Sequence, residues 1–231
     1  VLKMGQSIIT RDINGLTENE ISKLMVGREL KVDPYNKNLK FGKSILEVKN
    51  LSNINRYGKY VLNNLNLSVK EGQILGIAGV EGNGQSELSE TIAGLLPIQH
   101  GEIRINGTSL KELKNIREIR NLGVSLIHED RMTYGVSVKM PIYENIMADQ
   151  YYSSKYCSNG LINIKKEKEV VNKYVKDFMI KCDSINSNVN TLSGGNIQKV
   201  VAAREFSSTP KFLLACHPTR GIDIGAAEMI R

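Results

Sequence analysis

Cysteine is scarce: Cys157, Cys182 and Cys216 are the three in 231 residues. An odd count without paired spacing excludes a disulfide framework and a zinc finger, and points to a reducing compartment. Long apolar runs are missing too. None approaches the ~18 residues that cross a bilayer as a helix. The first residues, Val1-Leu2-Lys3-Met4-Gly5-Gln6, lack the apolar stretch of a signal peptide and do not begin with Met. The chain is therefore expected to be a piece of a longer protein. Internal repeats and low-complexity tracts are absent. With 41% hydrophobic and 24% charged residues, the composition is that of a globular protein rather than a disordered one. The net charge is +7, but the basic residues are scattered. Even Lys165-Lys166-Glu167-Lys168 is interrupted by an acid, so the excess reads as a solvated surface and no nucleic-acid partner is expected.

What is present centres on one glycine-rich stretch, Gly79-Val80-Glu81-Gly82-Asn83-Gly84-Gln85-Ser86. An apolar run, Ile74 to Ala78, leads into it and a helical pattern leads out. Strand, glycine turn and helix start together form a context in which backbone N–H groups can cradle phosphate. Glycines also mark ordinary tight turns, so the loop alone does not decide the matter. The position where a P-loop carries lysine holds Gln85.

The rest of the chain alternates strands and helices, an α/β pattern. Two short strands around Gly5 precede a capping box, Thr17-Glu18-Asn19-Glu20, and a helix stopped by Gly27. Residues 31–44, rich in lysine and asparagine around Pro34, read as a linker. Strands are expected over Ile45–Leu51 and Val61–Val69. A strand buried on both faces is expected over Ile74–Val80. Leu88, Ile92 and Leu95-Leu96 give one helical face, ended by Pro97. A short strand follows at 102–106 with Asn106-Gly107 as its hairpin signal, then a helix over 116–122 and a strand over 123–127. From about 140 to 207 the pattern is helical, with Pro141 opening one helix and Ile164–Ile180 another. A last buried strand is expected over Phe212–Cys216.

A second motif, Leu192-Ser193-Gly194-Gly195-Asn196-Ile197-Gln198, resembles the signature of ATP-binding cassette (ABC) proteins, and a strand similar to their Walker B strand follows it. With the glycine loop upstream, the order resembles an ABC nucleotide-binding domain over residues 45–231. The resemblance implies an α/β P-loop NTPase fold with an antiparallel β subdomain and a helical insert at about 140–207. It implies ATP and Mg²⁺ as ligands. Tyr57 resembles the residue that stacks on adenine, with Tyr60 competing. Gly79, Glu81, Gly82, Asn83, Gly84, Gln85, Ser86 and Glu87 would surround the phosphates, and Ser86 would reach the metal. Glu129 stands where the family has its Q-loop glutamine. Leu192, Ser193, Gly194, Gly195, Asn196 and Gln198 would form the signature, and Gly221 and Asp223 the D-loop. Residues 1–30, with Met25-Val26-Gly27-Arg28-Glu29, are similar to the end of a first cassette in importers that fuse two. The closest branch by resemblance is the simple-sugar and nucleoside importers. It implies a first cassette in the same chain, transmembrane permease subunits, an external solute-binding protein, and a place on the cytoplasmic face of the membrane.

Two departures carry chemical consequences. Gln85 brings hydrogen bonds but no charge, and charge-assisted bonds are roughly twice as strong. Cys216 and His217 stand where the family has an aspartate for Mg²⁺ and a glutamate for water. A thiol suits Mg²⁺ poorly, since that ion wants hard oxygens; His217 has the pKa range of a base. No intact catalytic set is expected at this P-loop, while the signature should complete the ATP site of the partner cassette. His100 and His128 read as loop or strand-edge residues, and Tyr151, Tyr152 and Tyr156 as packing on the helical insert. A soluble non-transport ABC protein and a purely regulatory ATP-binding module are the alternatives.

Overall fold

The computed structural model describes residues 2–3, 6–27, 40–222 and 227. The linker expected over 31–44 and the D-loop residue Asp223 fall wholly or partly outside them. Near the start, β1 (Leu2–Lys3) pairs with β2 (Gln6–Ser7), and α1 spans Glu18–Val26. Its capping box is complete: the Thr17 N–H donates to Glu20 Oε2 (2.9 Å) and the Glu20 N–H donates to Thr17 Oγ1 (3.3 Å). Gly27 closes the helix in the left-handed region, as its missing Cβ allows.

Two eleven-residue strands, β3 (Ser44–Ile54) and β4 (Tyr60–Lys70), form an antiparallel sheet with β5 (His100–Ile105) and β6 (Thr108–Ser109) in the order β4-β3-β5-β6. Asn106 and Gly107 both have positive φ, as a two-residue hairpin of this hand requires. One face of the sheet buries Leu46, Val48, Leu51, Ile103 and Ile105 against Leu88 and Ile92 of α2 (Gln85–Ile92) and Ile119 of α3 (Ile116–Asn121).

A parallel pair, β7 (Val124–Ile127) and β10 (Phe212–Ala215), separates this core from a second one. Val124, Phe212 and Leu214 pack into the first core, whereas Ile127 and Leu213 pack into the second. This division explains why Phe212-Leu213-Leu214 is apolar without alternation. The second core is helical. It joins α4 (Ile142–Met147), α5 (Ile164–Asp177) and α6 (Gly194–Ser207). Ile142, Ile146, Val171, Ile197, Val200 and Val201 are its buried members.

Charged side chains tie the layers together. The Glu205 carboxylate of α6 is 1% exposed and accepts from Arg120 Nη2 (2.8 Å), Arg204 Nε (2.9 Å) and the Leu126 N–H (3.2 Å). Asp149 pairs with Arg120 and lies 3.6 Å from Arg204. Helix, strand and insert thus share one buried ion cluster.

Three expectations are corrected. Ile74–Val80 is not a strand, and Ile74 is 93% and Val80 75% exposed. Its apolar residues suit a sheet interior, but β7 and β10 pair with each other, and no described strand offers 74–80 a ladder. β10 stops at Ala215 and is half-buried rather than buried, for the same lack of neighbours. The helical stretch also contains a small hairpin, β8 (Cys157–Ser158) and β9 (Leu161–Ile162). Its turn, Asn159-Gly160, has positive φ at both residues. That dipeptide was a readable signal.

Candidate functional site

The glycine loop turns by means of left-handed backbone. Gly82 and Gly84 have φ of +85° and +95°. Gly84 is the N-cap of α2, and no side chain caps that helix, so its first-turn N–H groups keep a free end. A Cβ on Gly84 would meet the Val61 carbonyl oxygen at 2.3 Å, a backbone atom that cannot swing away. On Gly79 it would meet Gln85 Nε2 at 2.0 Å, the far end of a flexible side chain. Gly84→Ala is therefore expected to destabilise the protein by about 1–3 kcal/mol, the scale of a strained backbone residue. Gly79→Ala should stay within about 1 kcal/mol, since only the Gln85 amide has to move. Chemical denaturation of the two variants checks this. Equal losses would contradict it.

The Gln85 amide folds back along the loop and donates to the Val80 carbonyl at 3.3 Å. It covers Gly79, and where a lysine would bring a cation it brings a neutral dipole. Next to it, the Ser86 hydroxyl donates to Glu129 Oε1 at 2.7 Å, across 43 residues of sequence. Glu129 follows β7, and its position is set by the residues around it. His128 is buried; its Nδ1 accepts from the Asp130 N–H (3.0 Å) and its Nε2 lies 3.3 Å from Glu90 Oε1 on α2. Asp130 accepts from the Met132 and Thr133 N–H groups, and a hydrogen bond from the Thr133 side chain, with these N–H groups, holds its carboxyl below the usual range. His128 thus sits at the strand edge, directly after β7, and acts there as a strut between loop and helix.

Cys216 lies just after β10, its N–H donating to the Ile127 carbonyl (2.9 Å). Burial pushes its thiol pKa up against a hydrogen bond from Ser89, and Glu129 and Glu90 add to the rise. The shift disfavours the thiolate, the form that binds metals and acts as a nucleophile. His217 is exposed, with φ of +47°. The structure therefore brings Gln85, Ser86, Glu129 and Cys216 into one neighbourhood. Glu81 and Asn83 are exposed on the loop, and Glu87 is half-buried in the first turn of α2. Tyr57 is 77% exposed in the β3–β4 turn, with the Arg56 guanidinium 4.8 Å over its ring; Tyr60 opens β4.

The segment 192–198 is elsewhere. Ser193 is the N-cap of α6 but makes no capping bond; its Oγ accepts from Asn196 Nδ2 at 3.0 Å. Asn196 also accepts from the Lys181 N–H (2.8 Å), and the buried Gln198 donates to the Pro218 carbonyl (2.9 Å). Leu192 packs on the second core. Gly194 and Gly195 open the helix, so its N-terminal N–H groups and an exposed hydroxyl share one end.

Sequence reasoning passed over Arg131. Its guanidinium donates to the carbonyls of Arg220 (2.6 Å) and Gly221 (3.3 Å), and a Cβ on Gly194 would lie 3.0 Å from its Nη2. One side chain thus joins the turn after Glu129 to both the start of α6 and the loop after β10. A lone arginine among 31 basic residues offers no pattern by which to find it.

Known proteins resemble this chain in sequence and in fold. The ABC transporter family model matches residues 62–220. The guanosine import ATP-binding protein NupO of Bacillus subtilis is 34% identical over 230 residues, covering 100% of this chain and 45% of that protein. The nucleoside import ATP-binding protein NupA of Lactococcus lactis is 32% identical over 230 residues, with 100% and 45% covered. The xylose import ATP-binding protein XylG of Thermoanaerobacter pseudethanolicus is 37% identical over 229 residues, with 98% and 45% covered. The chain thus spans about half the length of the curated relatives it matches. Among solved structures, the post-hydrolysis dimer of the ATP-binding cassette MJ0796 superposes with a TM-score of 0.68 at 24% identity, over 80% of this chain and 79% of that one. It has the ABC nucleotide-binding cassette fold, and on the match over residues 62–220 the chain belongs to the ABC transporter family.

Proposed function

We propose that the chain is the ATP-binding part of an importer for nucleosides or simple sugars, working at the cytoplasmic face of a membrane with permease subunits and, through them, a solute-binding protein. Residues 45–231 form a second cassette, residues 1–30 the tail of a preceding one, and residues 31–44 the link. The observation that carries this reading is the uneven condition of its two phosphate-facing ends. At the glycine loop, Gln85 is a neutral amide bonded to Val80, and Cys216, its thiol pKa pushed up by burial, follows β10. At α6, the Ser193 hydroxyl and the helix N-terminus are exposed and uncapped.

The residues present fit a nucleotide in part. The N–H groups of 82–86 and the start of α2 suit phosphate oxygens, and Tyr57 offers an exposed ring for a base. Ser86 Oγ and Glu129 Oε1 are hard oxygens of the kind Mg²⁺ prefers, whereas Cys216 supplies none. When bound, Mg²⁺·ATP would supply the phosphoryl group whose hydrolysis drives transport. Glu129 and Ser86 would hold the metal more weakly than a set with a further carboxylate. Gln85 would orient phosphate oxygens without neutralising developing charge, so turnover at this loop should be slight. Ser193, Gly194 and Gly195 would instead present donors to the ATP held by the partner cassette.

The test is Mg²⁺·ATP binding and phosphate release by the full-length protein reconstituted with its permease. The expected result is turnover that rises with solute. ATP binding without any stimulated turnover would replace this reading with a regulatory one, and a full-length protein that associates with ribosomes and not with a permease would replace it with a soluble function.

A further inference from the structure

The lysine run 165–168 reads in the sequence as a solvated surface, but the fold gives it an apolar neighbour. The hairpin β8–β9 pairs Cys157 with Ile162 and Ser158 with Leu161. Its base is fixed. Tyr156 is 2% exposed in the second core, and its carbonyl accepts from the Asn163 N–H (2.8 Å). Asn163 in turn caps α5 by accepting from the Lys166 N–H (3.0 Å). Beyond that base, apolar side chains point away from the core: Leu161 is 77%, Ile162 43% and Ile164 50% exposed. Ile162 and Ile164 border one depression with Tyr151, itself 44% exposed, so the three form a single patch. Apolar surface held outward by a rigid base marks a place of contact with a macromolecule or a membrane.

The charge around the patch is nearly all of one sign. From Tyr151 to Lys176 the chain has six lysines and two acids, Glu167 and Glu169. Glu167 is 4% exposed, and its Oε1 is buried without a hydrogen-bond partner. Burial raises its pKa, and the nearby Glu144 raises it further. Glu169 is therefore the exposed acid of this stretch, against exposed Lys155, Lys165 and Lys166. The Lys168 ammonium rests 4.6 Å over the Tyr143 ring, and the Arg117 guanidinium of α3 lies 3.9 Å over that of Tyr152. Aliphatic side chains, tyrosines and lysines with little acid between them suit the interface of a bilayer. The aliphatics reach past the headgroups, the tyrosine rings sit among them, and the lysines meet anionic lipid. The cytoplasmic leaflet offers apolar depth and negative charge together.

We propose that the β8–β9 hairpin and the start of α5 touch the lipid bilayer directly, with Leu161, Ile162 and Ile164 in its interface and Lys165 and Lys166 on anionic headgroups. The inference rests on the importer reading above for the membrane that the chain meets. It goes beyond that reading by giving the chain a lipid contact of its own, which needs no permease. The hairpin's fixed base matters here, because side chains already held outward lose little conformational freedom on entering the interface.

The experiment is flotation of the full-length protein with three kinds of vesicle: phosphatidylcholine alone, phosphatidylcholine mixed with phosphatidylglycerol, and the mixture with reconstituted permease. The wild type should bind the permease-free mixture and bind phosphatidylcholine alone at least about tenfold more weakly. Leu161→Ser combined with Ile164→Ser should weaken binding to the mixture at least about tenfold. Lys165→Gln combined with Lys166→Gln should do the same and flatten the salt dependence. Both pairs change exposed side chains, so their unfolding temperatures should match the wild type, which separates lost contact from lost fold. Leu161→Trp adds a reporter at the tip. Its emission, taken as the difference from the wild type, should shift to the blue with the mixture and be quenched by lipids brominated in the acyl chain. An unshifted reporter, or full binding by the serine pair, would mean adsorption by charge alone and overturn the proposal. Binding only to vesicles that hold permease would overturn the lipid contact and leave the importer reading standing. Binding to none of the three would overturn both.

Discussion

Ser193→Arg should abolish solute-stimulated ATP turnover by the complete transporter, by about 100-fold or more, while Gln85→Ala should lower it by less than about threefold. The asymmetry follows from what each side chain does. Ser193 leaves the α6 N-terminus uncapped and holds its hydroxyl exposed, fixed by Asn196. An arginine there fills the space a γ-phosphate would occupy and removes the hydroxyl. Removing one preorganised donor from a charged transition state already costs on the order of 10²–10³ in rate. Gln85, by contrast, is neutral and bonded to its own loop, so its loss removes a hydrogen bond and no charge. Steady-state phosphate release by reconstituted full-length protein measures both. Comparable losses from the two variants would refute the division of labour.

Glu205→Ala should lower the stability of the protein by about 3–5 kcal/mol, the effect of removing one partner of a buried ion pair. The carboxylate is 1% exposed, and three donors converge on it from Arg120, Arg204 and Leu126. Its deletion leaves Asp149 as the one remaining carboxylate beside the two guanidinium groups in this cluster. Asp149 does not compensate well, because burial raises its pKa even with both arginines near. At ~2–4 °C per kcal/mol for a chain of this size, the unfolding midpoint should fall by roughly 6–20 °C. Thermal unfolding followed by circular dichroism gives the answer. A drop below about 2 °C would mean that the cluster is not what joins β7 to the helical layer. Glu205→Gln, which keeps one acceptor oxygen, turns the other into a donor and loses the charge, should lie between.

Local chemistry was legible in advance wherever it is written in neighbouring residues. Thr17 and Glu20 form their box, Gly27 ends α1, and Pro141 precedes α4. Asn106-Gly107 turns a hairpin as expected, and Asn159-Gly160 does the same where no strand was expected. The failures share one cause. Ile74–Val80 has the composition of a buried strand, but apolarity states a preference for burial and does not supply the neighbouring ladder. Arg131, Glu205 and Glu167 were invisible because their meaning lies in atoms far along the chain, at Gly221, Arg120 and Glu144.

By itself the sequence determined the class of molecule. The glycine loop, the 192–198 motif and the strand after it are short, ordered by covalent spacing, and enough to mark an ABC cassette. It also determined that Gln85 carries no charge, because charge is a property of the residue. Only the tertiary structure decided where that amide goes, that Glu129 meets Ser86, that burial pushes the Cys216 thiol further up, and that Glu167 Oε1 is buried without a hydrogen-bond partner. Those outcomes depend on distance and desolvation, which arise when segments far apart in the chain are packed together.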